Sequence, residues 1–189
     1  MNISVLLIDN GNDGIDNYMH LLAGCDIKVV KWNHIQDCNV DNFELIVLSH
    51  GREISVYRNE LEKELILNAT IPIVGVCYGF QMLSHTYGLK IEELVPPSIG
   101  SNKIIVKSQH AMFGGISQFT SIEKHKYGVK TIGTNEKVKC HAVSDFGIEI
   151  IEISDRKQYG FQFHPEIFDQ ENQGNIIFNN LLAYLFPNR

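Results

Sequence analysis

The sequence predicts an α/β protein: an open, mostly parallel sheet with flanking helices, extended by antiparallel strands in its second half. Two observations carry this expectation. From Ile3 to Gly88, short apolar runs rich in β-branched residues alternate with segments of helical spacing in the order β-α-β-β-α-β-α, as in a parallel sheet with crossover helices. Beyond Pro96-Pro97 the helical spacing stops, and short alternating strands separated by turn residues take over. With 189 residues, 44% of them hydrophobic, the chain fits one domain over residues 1–189 with a sizeable core.

Each element has its own local reason. Ile3 to Ile8 is a buried-strand run that ends in the turn-forming cluster Asp9-Asn10-Gly11-Asn12-Asp13-Gly14. Ile15, Tyr18, Met19 and Leu22 mark the apolar face of a helix that Gly24 stops, and Ile27 to Lys31 follows as a strand. Leu45 to Leu48 is the next buried strand and gives way to Ser49-His50-Gly51-Arg52. Glu60 to Leu67 reads as a helix. Ile71 to Val76 is short and apolar enough to be covered on both faces. Helical spacing resumes from Gln81 through Met82, Leu83, Thr86 and Tyr87, with Gly88 as the stop. The segment Pro96 to Gly100 breaks the pattern, and strands are expected at Lys103 to Val106, Phe119 to Ile122, Lys137 to Val143 and Gly147 to Ile153. Gly160 to Phe163 is a last strand, and apolar residues between Asn175 and Phe186 recur at helical spacing. The chain shows no internal repeat, low-complexity tract or linker.

Composition excludes several function classes. A formal charge of −6 leaves no broad basic surface with which to neutralise nucleic-acid phosphates. The apolar runs fall short of the roughly 18 residues that a membrane helix needs, and Met-Asn-Ile-Ser-Val has no charged leader region, so a cytoplasmic protein without a membrane partner is expected. The four cysteines, Cys25, Cys38, Cys77 and Cys140, are scattered with no C-x-x-C pair, which argues against a zinc site and a disulfide framework; no metal is expected.

One cysteine stands apart. Cys77 falls at the joint between a buried strand and a helix, with Gly75 and Gly79 allowing a tight turn. That placement has the logic of a nucleophile elbow, and the helix N-terminus favours the thiolate and should lower its pKa. A cysteine nucleophile needs a base, and the base needs a group to orient it. His164-Pro165-Glu166 follows a short apolar strand and offers both: His164 at a strand end, and Glu166 to accept from the imidazole.

Taken together, Gly-Val-Cys77-Tyr-Gly-Phe-Gln81 and Gln162-Phe163-His164-Pro165-Glu166 resemble the class I glutamine amidotransferase family, whose triad is Cys, His and Glu in that order. The resemblance extends to Asp9-Asn10-Gly11, Leu48-Ser49-His50-Gly51 and Met112 to Ile116. It implies that Cys77, His164 and Glu166 are catalytic and that the backbone N–H groups of Gly51 and Tyr78 form the oxyanion hole. It further implies that Gln81 and His125 lie at the glutamine site, although Gln81 would equally serve to brace the elbow helix. Where relatives often carry Gly-Gly-Pro at the oxyanion turn, this chain has His50-Gly51-Arg52, and Lys124-His125-Lys126-Tyr127-Gly128-Val129 keeps only the histidine and valine of a related Ser-His-x-Asp-x-Val pattern. Tyr78-Gly79-Phe80-Gln81 and Phe113-Gly114-Gly115-Ile116 lean toward the guanylate-synthase branch.

That branch implies a glutaminase subunit that hydrolyses L-glutamine and supplies ammonia to a separate ATP-pyrophosphatase synthetase subunit, which would aminate xanthylate. No phosphate-binding Gly-rich loop followed by Lys or Ser/Thr appears here, so no cofactor is expected in this chain, and ATP and magnesium belong to the partner. The competing readings are the glutaminase subunit of anthranilate or aminodeoxychorismate synthase, a free-standing γ-glutamyl hydrolase, and a catalytically weak glutamine-binding homologue.

Overall fold

A computed structural model describes residues 2–11 and 13–189; Asn12, which the sequence places in the turn after the first strand, lies outside the described residues. The elements in order are β1 (Ser4–Asn10), α1 (Ile15–Leu21), β2 (Asp26–Lys31), β3 (Leu45–Gly51), α2 (Glu60–Asn68), β4 (Ile73–Val76), α3 (Tyr78–Thr86), β5 (Glu92–Val106), β6 (Gln118–Gly128), β7 (Val138–Ser144), β8 (Gly147–Ile153), β9 (Gln158–Phe161) and α4 (Gly174–Leu185), with short 3-10 turns at Trp32–Asp37, Val40–Asn42 and Ala111–Phe113.

The strands form one nine-stranded sheet in the order β2-β1-β3-β4-β9-β8-β7-β5-β6. β2, β1, β3, β4 and β9 pair in parallel, and β8, β7, β5 and β6 continue antiparallel, as the change of pattern after the first half predicts. The central parallel strands are buried on both faces. One layer packs β1, β3, β4 and β9 against α1 and α4, through Leu7, Val47, Val74, Phe161, Tyr18 and Phe178; the other face meets α2 and α3 through Ile8, Leu48, Ile66 and Phe80. The sheet curls. Although β6 is last in the order, its Ile122 carbonyl accepts from the His164 N–H just past β9, at 2.9 Å.

Several boundaries differ from the sequence expectation, and the last strand is Gln158–Phe161 rather than Gly160 to Phe163. β5 runs through Pro96-Pro97, because its pairing with β6 is interrupted between Glu93 and Ser98 and the prolines sit where no ladder N–H is required. β6 continues past Ile122 to Gly128 and takes in the Lys124 to Tyr127 segment. α3 begins at Tyr78, directly after Cys77, as expected of a cysteine at the joint between strand and helix.

Close approach sets the elbow. A Cβ on Gly75 would collide with the Gly79 backbone, and one on Gly79 would collide with the Leu48 carbonyl, so α3 can lie against β4 and β3 only without these side chains. Replacing Gly79 by alanine should therefore lower unfolding free energy by about 2 kcal/mol or more in urea denaturation, despite alanine's better helix propensity. An unchanged or raised midpoint would show that the contact relaxes freely.

Candidate active site

The parallel ladder of β4 and β9 does the positioning. Val76 pairs with Phe161, and the Cys77 N–H donates to the Phe161 carbonyl at 2.7 Å, so the residues that leave these two strands emerge side by side at their carboxyl ends. There Cys77 adopts φ 51° and ψ −95°, the only non-glycine with positive φ among the described residues. Such a conformation costs on the order of 1–3 kcal/mol and persists only where its surroundings impose it.

His164 is the partner that this geometry brings. Its ring is buried, Nδ1–H donates to Glu166 Oε1 at 2.7 Å, and that bond fixes the tautomer and leaves Nε2 toward Cys77. Nε2 has no hydrogen-bond partner among the described residues, and the Cys77 sulfur is its electrostatic partner. Burial alone would push the imidazole toward its neutral form. The sulfur and the Glu166 carboxylate more than offset it, so the His164 pKa lies well above the usual histidine value. Glu166, fully buried, would likewise be raised by burial, but hydrogen bonds from His164 and His50 and their charges hold it down to about 2.

His50 is the residue that sequence reasoning misses. The sequence presents it only as a departure from glycine at the oxyanion turn, yet its Nδ1 lies 2.8 Å from Glu166 Oε1, the same oxygen that His164 uses. The His50 N–H donates to Tyr18 Oη at 2.8 Å, and the two imidazoles meet edge to face with centroids 5.1 Å apart. Burial first, and then the Glu166 charge, push the Tyr18 phenol well above its usual value, so it remains a neutral hydroxyl. Asn172 escapes sequence reasoning too: its Nδ2 donates to the carbonyls of His164 at 2.8 Å and Ile167 at 2.6 Å, while its Oδ1 accepts from Ser121 Oγ. That amide clamps the turn carrying His164 and Glu166. No spacing rule could indicate it.

Behind the elbow lies a second polar cluster. Asn10 Nδ2 and Asn59 Nδ2 donate to the two oxygens of Glu62, and Asn59 Nδ2 also approaches Tyr78 Oη at 3.2 Å. Burial raises Glu62 to about 8 against those donors. Asn10 also donates twice to Ser49, from its N–H to Oγ and from Nδ2 to the carbonyl, so the end of β1, the end of β3 and the start of α3 are fastened together.

The other expected site residues converge on one cleft of about 1010 Å³, lined by Cys77, Tyr78, His164, Gly51 and Gln81 among others, a volume at the upper end for small-molecule sites. Tyr78 opens α3, where backbone N–H groups have no intrahelical acceptor. Gly51 has no room for a side chain, because a Cβ would strike the Asn10 backbone. Gln81 donates through Nε2 to the Tyr127 carbonyl at 2.9 Å, so its amide braces α3 to β6 across the cleft floor. His125 borders the cleft, but its ring is only 2% exposed and turned inward, with Nδ1 on the Tyr127 carbonyl and Nε2 beside Glu123. His50, His164 and Glu166 also stand close enough to share a cation, although Nδ1 of each ring already faces Glu166 Oε1.

Comparison with known proteins agrees with this geometry. Residues 6–184 match the family model of glutamine amidotransferase class-I. A protein of Methanococcus maripaludis strain C6, named as one of the subunits of glutamine-hydrolyzing GMP synthase, is 36% identical over 182 residues, covering 93% of this chain and 94% of its own. The like-named protein of strain C5 is 30% identical over the same length. Among solved structures, a protein of Thermoplasma acidophilum that bears a GMP synthase name superposes with a TM-score of 0.85 at 25% identity, over 98% of this chain and 94% of its own.

The shifts at the site predict an acid limb in stability. Glu166 lies near 2 in the folded chain against 4.5 for an ordinary glutamate, so its contribution is present above about pH 4.5 and is lost as pH falls toward 2. His164 has the opposite sign: its contribution is present below its ordinary value of 6.5 and is lost as pH rises through its higher folded value. Unfolding free energies of wild type and Glu166→Gln between pH 5 and 2.5 should diverge by on the order of 3 kcal/mol at the upper end and converge at the lower. Parallel curves would contradict the assignment.

Proposed function

The chain belongs to the class I glutamine amidotransferase family, and from that premise we propose that it is the glutamine-hydrolysing subunit of a two-chain GMP synthase. The observation that carries the reading is the strained Cys77 beside His164, with His164 oriented by Glu166. The names of the relatives that match almost end to end support the guanylate branch.

Cys77 attacks the side-chain amide carbon of glutamine, and the carbonyl oxygen becomes an oxyanion between the N–H groups of Tyr78 and Gly51. Collapse of that intermediate breaks the carbon–nitrogen bond as His164 gives its proton to the leaving amine, releasing ammonia and leaving a γ-glutamyl thioester. Water then attacks the thioester with His164 taking its proton, and glutamate leaves as the Cys77 thiolate returns. Glu166 stays ionised throughout and stabilises the imidazolium. Each oxyanion donor contributes about 10²–10³ in rate. No cofactor of this chain enters these steps; ATP and magnesium act on the partner synthetase, where xanthylate is activated and receives the ammonia.

The cleft mouth suits docking of that partner. Ile99, Tyr57 and Tyr127 line the cleft and remain 70%, 59% and 44% exposed, and neighbouring Val95 is 90% exposed, an apolar rim of the kind that interfaces cover. Arg52 and the turn that holds Gly51 lie at the same mouth, so a partner seated there completes the oxyanion turn. This is the physical reason to expect a glutaminase that is weak alone.

Substitution and kinetics test the reading. Cys77→Ala should abolish glutamate release and His164→Ala should reduce it by at least about 10³, with Glu166→Gln milder because an amide still hydrogen-bonds to the ring. A glutamine-like electrophile should label Cys77 in preference to Cys25, Cys38 and Cys140; equal labelling would remove the case for an activated thiol. In steady-state kinetics, kcat for glutamine should rise at least about tenfold when the synthetase, ATP and xanthylate are added, and Val95→Asp should weaken that stimulation. Full activity of the isolated chain would rule out completion by the partner.

A further inference from the structure

We propose that Glu123, His125 and Glu149 form a binding site for one divalent transition-metal ion, of the zinc or manganese kind, inside the curl of the sheet and distinct from the catalytic centre. Glu123 and His125 are two apart on β6 and share a face, and Glu149 comes from β8. One donor atom from each lies within 4.8 Å of the others, a spread that suits ligands about 2.0–2.4 Å from a common ion. Glu123 and Glu149 are 0% and 1% exposed.

Each of the three is half satisfied, and in the same way. Glu123 Oε2 accepts from Ser98 Oγ and Asn102 Nδ2, while Oε1 has no hydrogen-bond partner among the described residues. Glu149 Oε1 accepts from Ser144 Oγ at 2.7 Å, while Oε2 has none. His125 Nδ1–H donates to the Tyr127 carbonyl at 3.0 Å, which leaves the Nε2 lone pair free, 3.3 Å from Glu123 Oε2 and without a hydrogen bond. A carbonyl on the far ring nitrogen and hydroxyls or amides on the far carboxylate oxygens are the outer partners that orient metal ligands.

Charge points the same way. The Glu123 and Glu149 carboxylates face each other with donor atoms within 4.8 Å, an arrangement that a cation between them would stabilise. Two carboxylates, one neutral imidazole and one divalent ion sum to zero. A donor set of imidazole and carboxylate without thiolate suits zinc or manganese better than a soft monovalent ion. Its place also gives it work: the Ile122 carbonyl beside Glu123 accepts the His164 N–H at 2.9 Å, and the Glu149 carbonyl accepts the Gln162 N–H at 2.9 Å. The ion would fasten both strands that hold the catalytic histidine's turn.

The test needs no glutamine and is independent of the proposed reaction. The chain is stripped with EDTA and titrated with manganese chloride and, separately, zinc chloride, with metal content and thermal midpoint followed together. The expected result is about one ion per chain and a midpoint rise on the order of 5 °C at about 100 times Kd. Both should vanish in Glu149→Gln and Glu123→Gln and persist in His50→Ala. No uptake by wild type, as a proton shared between the two carboxyls would give, overturns the proposal. Uptake that survives Glu149→Gln but is lost in His50→Ala also overturns it, by placing the ion at the catalytic cluster. Should the glutamine variants fail to fold, uptake by His50→Ala decides.

Discussion

The parallel pairing of β4 with β9 is the constraint on which the rest depends. These two strands are remote in sequence, and their ladder places the residues that follow Val76 and Phe161 next to each other. Cys77 and His164 are neighbours for that reason. β9 is also the seam between the two halves of the sheet, parallel to β4 on one side and antiparallel to β8 on the other. The crowding at that seam explains the small residue there: a Cβ on Gly160 would meet Phe80 at 2.9 Å and Ile151 at 3.1 Å. The strain at Cys77 is sustained by this packing, since the elbow cannot relax while α3 lies against β3 and β4 and the Cys77 N–H is held by Phe161.

Charge is organised around the same point. Glu166 is buried and ionised because two imidazoles share one of its oxygens, and His164 is biased toward its charged form because it lies between a sulfur and that carboxylate. Cys77, His164, Glu166 and His50 thus stand as one cluster of four. His50 stands where relatives often have glycine, and its Nδ1 lies 2.8 Å from Glu166 Oε1 and 3.0 Å from Tyr18 Oη, which ties the turn to the His164–Glu166 pair.

Much of this is legible in the residues. The β-branched runs ending at Ile8, Leu48 and Val76 mark the parallel strands because a strand covered on both faces must be apolar throughout, and the Gly75 and Gly79 pair marks the elbow because only glycine permits that approach. The His164-Pro165-Glu166 ending marks the pair that stands beside Cys77. What cannot be read is long-range. Nothing in the spacing of Glu123 and Glu149 shows that β6 curls back toward β8, and nothing in His50-Gly51-Arg52 shows that the histidine reaches Glu166. The proline pair misleads because proline ordinarily ends a strand, whereas β5 passes it where the ladder is already interrupted. Gln81 is readable as either a substrate contact or a brace, and its bond to the Tyr127 carbonyl favours the brace.

Nucleophilic attack by Cys77 is the centre of this account, and a covalent intermediate is its most direct consequence. Acid quenching of the chain during turnover with glutamine, followed by mass spectrometry of its cysteine peptides, should show a γ-glutamyl adduct on the peptide that contains Cys77 and on no other. An adduct on Cys25, Cys38 or Cys140, or glutamate release from a Cys77→Ala chain with no adduct anywhere, would contradict it.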